Sequence, residues 1–361
     1  MLIEKIDFKN IKLLDMHTHL MDMHTESTAF SEVSFRRKNG IFSLYCCRNP
    51  EEWDFMKRIG CFPETDCSAL SFGIHPWNSD KYDPDDFMNI YGSAPVIGEI
   101  GMDSVWTDIP LEIQRKSFLK QLKIASALNK PVILHTKGCE AEIVEILRDF
   151  NIPVLIHWYS GDLQSLYRFI ETGCYFTLGP DTALMDPALR QEMLSRIPRE
   201  KLFTETDGIE SIKWVCDENN NPALPYEPDI FAVNKDFTLI PGSLNQTLNF
   251  LADYDCVDPG STLVQMISNL SGFLSEGNEK EGKCLIISGG EPGPCPSPDA
   301  FSLIIAADKG LEYAEGLNIR PDIIVGDFDS FSGDPEELSG KFDTVKLPVR
   351  KNDSDFESAL K

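Results

Sequence analysis

Along the first three-quarters of the chain, short apolar or β-branched runs alternate with longer stretches of helical periodicity. The runs are LLDMHTHL (13–20), FSLYCC (42–47), ALSFGIHP (69–76), PVIGEIG (95–101), PVILHT (131–136), PVLIHWY (153–159), CYFTLGP (174–180) and LFTETD (202–207). Between them, stretches such as LEIQRKSFLKQLKIASALNK (111–130) and CEAEIVEILRDF (139–150) place apolar residues at helical spacing. Eight strand-like runs alternating with helices over about 250 residues predict an α/β fold, a (β/α)8 TIM-type barrel. An open doubly wound sheet is the alternative, and the placement of the polar residues favours the barrel.

The pattern then changes. WVCDENNNPALPYEPDIFAVNKDFTLIPGS (214–243) is rich in Pro and Asn and reads as a loop that could lid the strand ends. Two helical stretches follow, LNQTLNFLADY (244–254) and STLVQMISNLSGFLSEG (261–277). A polar linker at 276–282 separates this barrel domain, 1–275, from a further module at 283–361. In that module CLIISGG, FSLIIAAD and DIIVGDFDS read as strands of a partial open α/β parallel sheet.

Composition adds constraints. With 361 residues, 42% hydrophobic and 25% charged, the chain has ample core for a soluble protein of two domains. No apolar run approaches the roughly 18 residues that span a bilayer, and the start lacks a signal-peptide pattern, so no membrane and a cytoplasmic location are expected. The ten cysteines include no C-x-x-C pair and read as reduced thiols, with Cys46 and Cys47 in a buried strand. A net charge of -25 argues against a protein that coats nucleic acid electrostatically, but leaves room for an enzyme whose metal ions supply positive charge.

The chemistry concentrates at the strand ends. Of six histidines, His17, His19, His75, His135 and His157 fall at the C-terminal ends of expected strands, and Glu99 and Asp207 end two more. In a barrel those ends open onto one face, where active sites lie. His17 and His19 stand two apart and so point the same way along a strand. Glu99 lies between glycines, where small neighbours leave room for a bridging carboxylate. Two cations there would hold a phosphoester and activate a water, with Asp207 as ligand and proton acceptor. Imidazoles and carboxylates suit Zn²⁺, Mn²⁺ or Fe, and Mg²⁺ where waters complete the shell.

Six motifs carry a family resemblance: DMHTHL (15–20), GIHPW (73–77), IGEIGMD (97–103), PVILHT (131–136), IHWYSG (156–161) and TETD (204–207). In order and spacing they resemble the TatD metal-dependent hydrolases of the amidohydrolase-like barrel superfamily, over roughly residues 10–275. The resemblance implies a two-metal phosphodiesterase, typically a deoxyribonuclease with 3′-exonuclease character, holding Mg²⁺, Mn²⁺ or Zn²⁺. It implies His17, His19, Glu99 and Asp207 around one ion and Glu99, His135 and His157 around the second, with His75 beside them contacting a phosphate oxygen. Asp207, Glu99 and His75 are the catalytic candidates, while His24 matches no motif and reads as surface. After Asp207 the family's basic R-x-K-x-N-x-P element is replaced by an acidic, Asn-rich stretch, so a small phosphoester, an ester or an amide stands as the alternative substrate to DNA.

The tail carries AADKG (306–310), RPDIIVGDFDS (320–330) and KNDSD (351–355). Asp327, Asp329 and Asp355 could collect Mg²⁺, although D-x-D loops also bind Ca²⁺ or cap turns. These motifs resemble the N-terminal half of thiamine pyrophosphokinase, implying Mg²⁺ and ATP held by Asp308, Asp327, Asp329 and Asp355, with thiamine as acceptor. The remainder of that enzyme does not follow, so no kinase activity is expected from this chain alone. Thiamine diphosphokinase as the principal role is the rival reading; the complete ligand set of the barrel favours the hydrolase.

Overall fold

The computed structural model describes residues 6–20, 25–59, 67–218, 235–276, 284–288, 303–307, 309–317, 319–326 and 343–346. Of the loop expected at 214–243, residues 214–218 instead end the helix Ile209–Glu218, and 235–243 form a 3-10 turn and the start of the helix Leu239–Asp255. Residues 219–234, His24, and the acidic positions Asp308, Asp327, Asp329 and Asp355 lie outside the described residues. The chain divides into two units, residues 1–278 and 279–361.

The first unit alternates strand and helix: β1 (Leu13–Thr18), α1 (Glu26–Lys38), β2 (Ile41–Cys47), α2 (Pro50–Arg58), β3 (Ser68–Phe72), α3 (Met88–Ser93), β4 (Val96–Gly101), α4 (Leu111–Leu128), β5 (Val132–His135), α5 (Glu140–Leu147), β6 (Val154–Ile156), α6 (Leu163–Glu171), β7 (Tyr175–Leu178), α7 (Pro187–Arg196), β8 (Leu202–Thr204) and α8 (Ile209–Glu218). Two longer helices, α9 (Leu239–Asp255) and α10 (Pro259–Glu276), close the unit and pack against β1 and β8. Each expected strand run overlaps one of these strands, and β2 and β3 each begin one residue before theirs. The strands form a parallel sheet in the order β1 to β8, which with the seam described below makes a nearly closed TIM-type barrel. Every residue of the eight strands is buried, which is why the runs are continuously apolar rather than alternating. Thr25, Asn49, Asp162 and Asp186 accept backbone N–H bonds at the starts of α1, α2, α6 and α7, and so fix where those helices begin.

The seam between β8 and β1 is made by side chains and strand ends. Thr204 Oγ1 donates to the Leu14 carbonyl at 2.5 Å, the Thr206 N–H to Asp15 Oδ1 at 2.8 Å, and the Asp207 N–H to the His17 carbonyl at 3.0 Å. Asp15 is itself buried and meets Arg36 of α1, whose Nη1 donates to Asp15 Oδ2 at 2.6 Å. The same guanidinium reaches Ser43 Oγ, Thr18 Oγ1 and Glu32 Oε1, at 3.2, 3.0 and 2.9 Å. Arg36 thus ties α1, β1 and β2 together and fixes the carboxylate that grips β8. Among the described residues no helix is long and apolar enough to cross a membrane, and the cysteines are free thiols.

The second unit contains β9 (Cys284–Ile287), β10 (Leu303–Ala307), α11 (Gly310–Gly316), β11 (Ile323–Gly326) and β12 (Asp343–Lys346). Its four strands are parallel, in the order β12-β11-β10-β9. Three were expected. The fourth, β12, is the four-residue segment DTVK, whose charged ends hide the strand pattern.

Replacing Arg36 by Met leaves Asp15 and Glu32 buried without their counter-charge. We expect a loss of about 3–5 kcal/mol in unfolding free energy, read by urea denaturation. A loss below about 1 kcal/mol would show that the seam does not depend on this pair.

Candidate metal centre

The strand ends bring the expected histidines and carboxylates to one place. Alternation along β1 sends His17 and His19 the same way, with their Nε2 atoms 3.1 Å apart. Asp207 follows β8 in a left-handed conformation, φ 57°, which Asp tolerates better than most residues and which is common where backbone is constrained at functional sites. Its Oδ1 lies 3.2 Å from His17 Nε2 and 3.5 Å from His19 Nε2. Glu99 Oε2 completes the group at 3.4 and 3.3 Å from the same two nitrogens. Four donors each about 2.1 Å from one ion, at tetrahedral angles, lie about 3.4 Å apart, so these separations suit a divalent metal.

The other oxygen of Glu99 faces a second group. Oε1 lies 2.8 Å from His135 Nδ1, 3.0 Å from His157 Nε2 and 3.3 Å from His75 Nε2. One carboxylate therefore joins two clusters of potential ligands. The glycines around it also serve the backbone. A Cβ at Gly98 would come within 2.7 Å of the Ile133 carbonyl oxygen, and one at Gly101 within 1.9 Å of that of His135. At Gly73 it would come within 2.6 Å of the Glu99 carbonyl oxygen. The glycines let β4 lie against its two neighbouring strands, and that close approach sets the position of Glu99.

The outward nitrogens decide which way each ring faces. His19 Nδ1 is 2.9 Å from the Cys46 carbonyl, which only accepts, so it carries the proton and the neutral ring turns its Nε2 lone pair inward. His135 Nε2 is 3.0 Å from Asp103 Oδ2, which turns the Nδ1 lone pair of the neutral ring toward Glu99. His17 Nδ1 contacts Cys46 Sγ at 3.2 Å, and His157 Nδ1 faces Glu205 Oε1 at 3.5 Å. Such outward partners are the usual support of metal-binding imidazoles. His75 is wired the opposite way. Its Nδ1 accepts from the Trp77 N–H at 3.2 Å, so Nε2 bears the hydrogen of the neutral ring and donates to Glu99. Burial pushes His75 down to about 4, which keeps it neutral.

The electrostatics favour positive charge inside the ring. Burial pushes the Glu99 carboxyl up, but the imidazoles of His75, His157 and His17 and the bond from His135 hold it well below its usual range. Burial and the neighbouring His17 push His157 down, yet Glu99 and Glu205 carry it up to about 10. Burial likewise opposes charge on His17, and Cys46 with Glu99 carries it well above its ordinary value. Without ions, protons supply the charge that the carboxylates demand.

The centre opens into a cavity of about 500 Å³ whose rim includes Arg48, Trp77, Trp106, Lys137, Trp158 and Trp214. Both Glu99 and Asp207 line this cavity, and Asp207, 21% exposed where Glu99 is 2%, is the more open of the two.

Asp103, Glu205 and Cys46 are functional candidates that sequence reasoning missed. Asp103 and Glu205 stand inside quoted motifs, IGEIGMD and TETD, yet no spacing rule marks a residue that supports a ligand from behind. Both are fully buried, and neither oxygen of Glu205 has a hydrogen-bond partner among the described residues. Cys46 is buried in β2 as expected, but its sulfur meets His17.

Residues 14–258 match the family described as TatD related DNase. Among curated proteins, the uncharacterized metal-dependent hydrolase YcfH of Escherichia coli K12 is 28% identical over 151 residues, covering 40% of this chain and 57% of that protein. The human 3′-5′ RNA nuclease TATDN2 is 26% identical over 222 residues, covering 54% of this chain and 28% of that protein. The chain thus spans little more than half the length of YcfH. In fold it is similar to a TatD family hydrolase from Entamoeba histolytica, with a TM-score of 0.59 at 14% identity, covering 73% of this chain and 98% of that one.

Two outcomes test the centre. Asp103→Asn keeps the shape but removes the charge behind His135, and Zn²⁺ affinity should fall about 10–100-fold in competition with a chromophoric chelator. Because His157 lies near 10 without metal, binding at pH 7 must displace protons, and affinity should strengthen as pH rises toward that value. Calorimetry in buffers of different ionisation enthalpy reads that release; none would mean that the ring is already unprotonated.

Proposed function

We propose, for a chain that belongs to the TatD family of metal-dependent hydrolases, that the barrel holds two divalent ions and hydrolyses phosphodiester bonds of nucleic acid. The observation that carries this reading is the facing of His135 and Glu99. At 2.8 Å, His135 Nδ1 and Glu99 Oε1 need positive charge between them, which a proton on His135 supplies without metal and a divalent ion would supply when bound. The family description and the human nuclease relative supply the substrate class.

In this reading His17, His19, Glu99 and Asp207 hold one ion, and Glu99, His135 and His157 hold the other. When bound, such ions stabilise charge on the phosphoryl oxygens and lower the pKa of the attacking water. Asp207 takes the proton of that water, since it is the more exposed of the two carboxylates of the centre that line the cavity. Ser211 Oγ donates to Asp207 Oδ2 at 2.9 Å and fixes its orientation. His75 has both ring nitrogens engaged within the protein, so we assign it to orient Glu99 rather than to touch a phosphate oxygen. Burial of the imidazoles excludes bulk water from all but the open side.

A small phosphoester is the second reading, favoured by the net charge of -25, which repels a long polyanion. For the second unit, we retain the resemblance to thiamine pyrophosphokinase as a proposal; the parallel sheet β9–β12 supports it, with β10 and β11 leading directly into the acidic motifs at Asp308 and Asp327.

The full chain should cleave both bis(p-nitrophenyl) phosphate and single-stranded DNA with Mg²⁺, Mn²⁺ or Zn²⁺, and lose both activities with chelator. Joint replacement of His17 and His19 by Ala should reduce turnover by a hundredfold or more, with the circular dichroism spectrum retained. Cleavage of the small ester alone would move the substrate away from DNA. Cleavage of neither would overturn the reading.

A further inference from the structure

The mouth of the cavity carries aromatic rings that the metal chemistry does not use. Trp106 is 55% exposed, an unusual state for so large an apolar side chain. It is nonetheless held firmly. Asp103 Oδ1 accepts from the N–H groups of Val105 and Trp106 at 2.7 and 2.9 Å, and Ser104 Oγ donates to the Gly138 carbonyl at 3.1 Å. The other oxygen of Asp103 takes Trp77 Nε1 at 2.7 Å and His135 Nε2 at 3.0 Å. One buried carboxylate therefore joins a centre-facing imidazole, the Trp77 indole and the Trp106 backbone in a single frame. The Trp106 ring lies 6.1 Å from that of His135 and 6.4 Å from that of Trp77.

A cation accompanies the ring. Lys137 Nζ lies 4.7 Å from the Trp106 centroid and donates to Ser160 Oγ at 2.8 Å. Among the described residues it makes no salt bridge, although the chain holds 58 acidic residues. An open indole on an anchored backbone, beside an ammonium that makes no salt bridge among the described residues, suits a ligand with a planar ring and a phosphate side by side.

We propose that Trp106, fixed by Asp103 and flanked by Lys137, is a stacking platform for an unpaired nucleobase next to the scissile phosphate, and that Lys137 pairs with a neighbouring phosphate. The inference rests on the nuclease reading above. It assigns recognition to the base face, which is sequence-tolerant, and requires a strand whose end base is splayed from its neighbours. Anchoring of the Trp106 backbone before binding removes part of the ordering cost that a mobile loop would impose. It also accounts for how so acidic a chain could hold a strand end: contact is concentrated on one base and one phosphate, and no basic track is needed.

Binding is measured with the full chain in chelator, where nothing is cut. The probes are a thymidine tetranucleotide and the same backbone without bases. Wild type should prefer the base-bearing strand. Trp106→Ala should reduce that preference about 5- to 150-fold, and Trp106→Phe should retain most of it. Lys137→Met should lower the slope of log affinity against log salt by about one. Equal binding of the two strands, no binding of either, or an intact preference in Trp106→Ala would overturn the proposal. Metal-dependent hydrolysis of bis(p-nitrophenyl) phosphate by the wild-type preparation is followed in parallel. Its absence counts against the nuclease reading alone, whatever the strands do.

Discussion

A carboxylate buried at the end of a barrel must be met by positive charge, and the architecture around Glu99 follows from that requirement. Desolvating it costs several kcal/mol unless a partner is supplied. Its two oxygens are each surrounded by imidazole nitrogens at 2.8 to 3.4 Å, drawn from β1, β5, the end of β6 and the turn after β3. No single strand could provide them. Only a closed ring of parallel strands, all ending on one face, brings residues so distant in sequence around one group.

The ring of candidate ligands is held from behind by a second layer. Backbone and sulfur of Cys46, the carboxylate of Asp103 and that of Glu205 each address the nitrogen that the centre leaves free. The same layer separates the roles of the histidines. His75 receives a backbone N–H where the others face acceptors or a sulfur, so it contributes a hydrogen bond where they offer a lone pair. Asp103 extends the arrangement to the cavity mouth, since the group that steadies His135 also steadies Trp77 and Trp106.

The barrel was legible because its strands are buried on both faces, which leaves unbroken apolar runs, and because the chemistry stands at their ends. His17 and His19 were legible for the same reason: a period of two is visible in any sequence. Asp103 and Glu205 were not, because a carboxylate behind an imidazole has no fixed spacing from it. Asp103 acts on a residue 32 positions away and Glu205 on one 48 positions away, joined only by the curvature of the sheet. The glycines beside Glu99 have a backbone role that composition does not show. From sequence they leave space for a side chain, and in the structure they also let one backbone lie against another. In the second unit β12 escaped notice because four residues with charged ends carry no periodicity.

The seam between β8 and β1 has one more consequence. The Asp207 N–H bonds the His17 carbonyl there, and Asp207 and His17 also face each other inside the centre. Closure of the ring and assembly of the ligand set are therefore one event, joining segments about 190 residues apart at a substantial cost in chain entropy. Local opening should begin where that closure rests on a few bonds rather than a full ladder. On warming, the donor set would separate while the helices on the far side were still intact, so ion-binding capacity would be lost before the bulk of the fold.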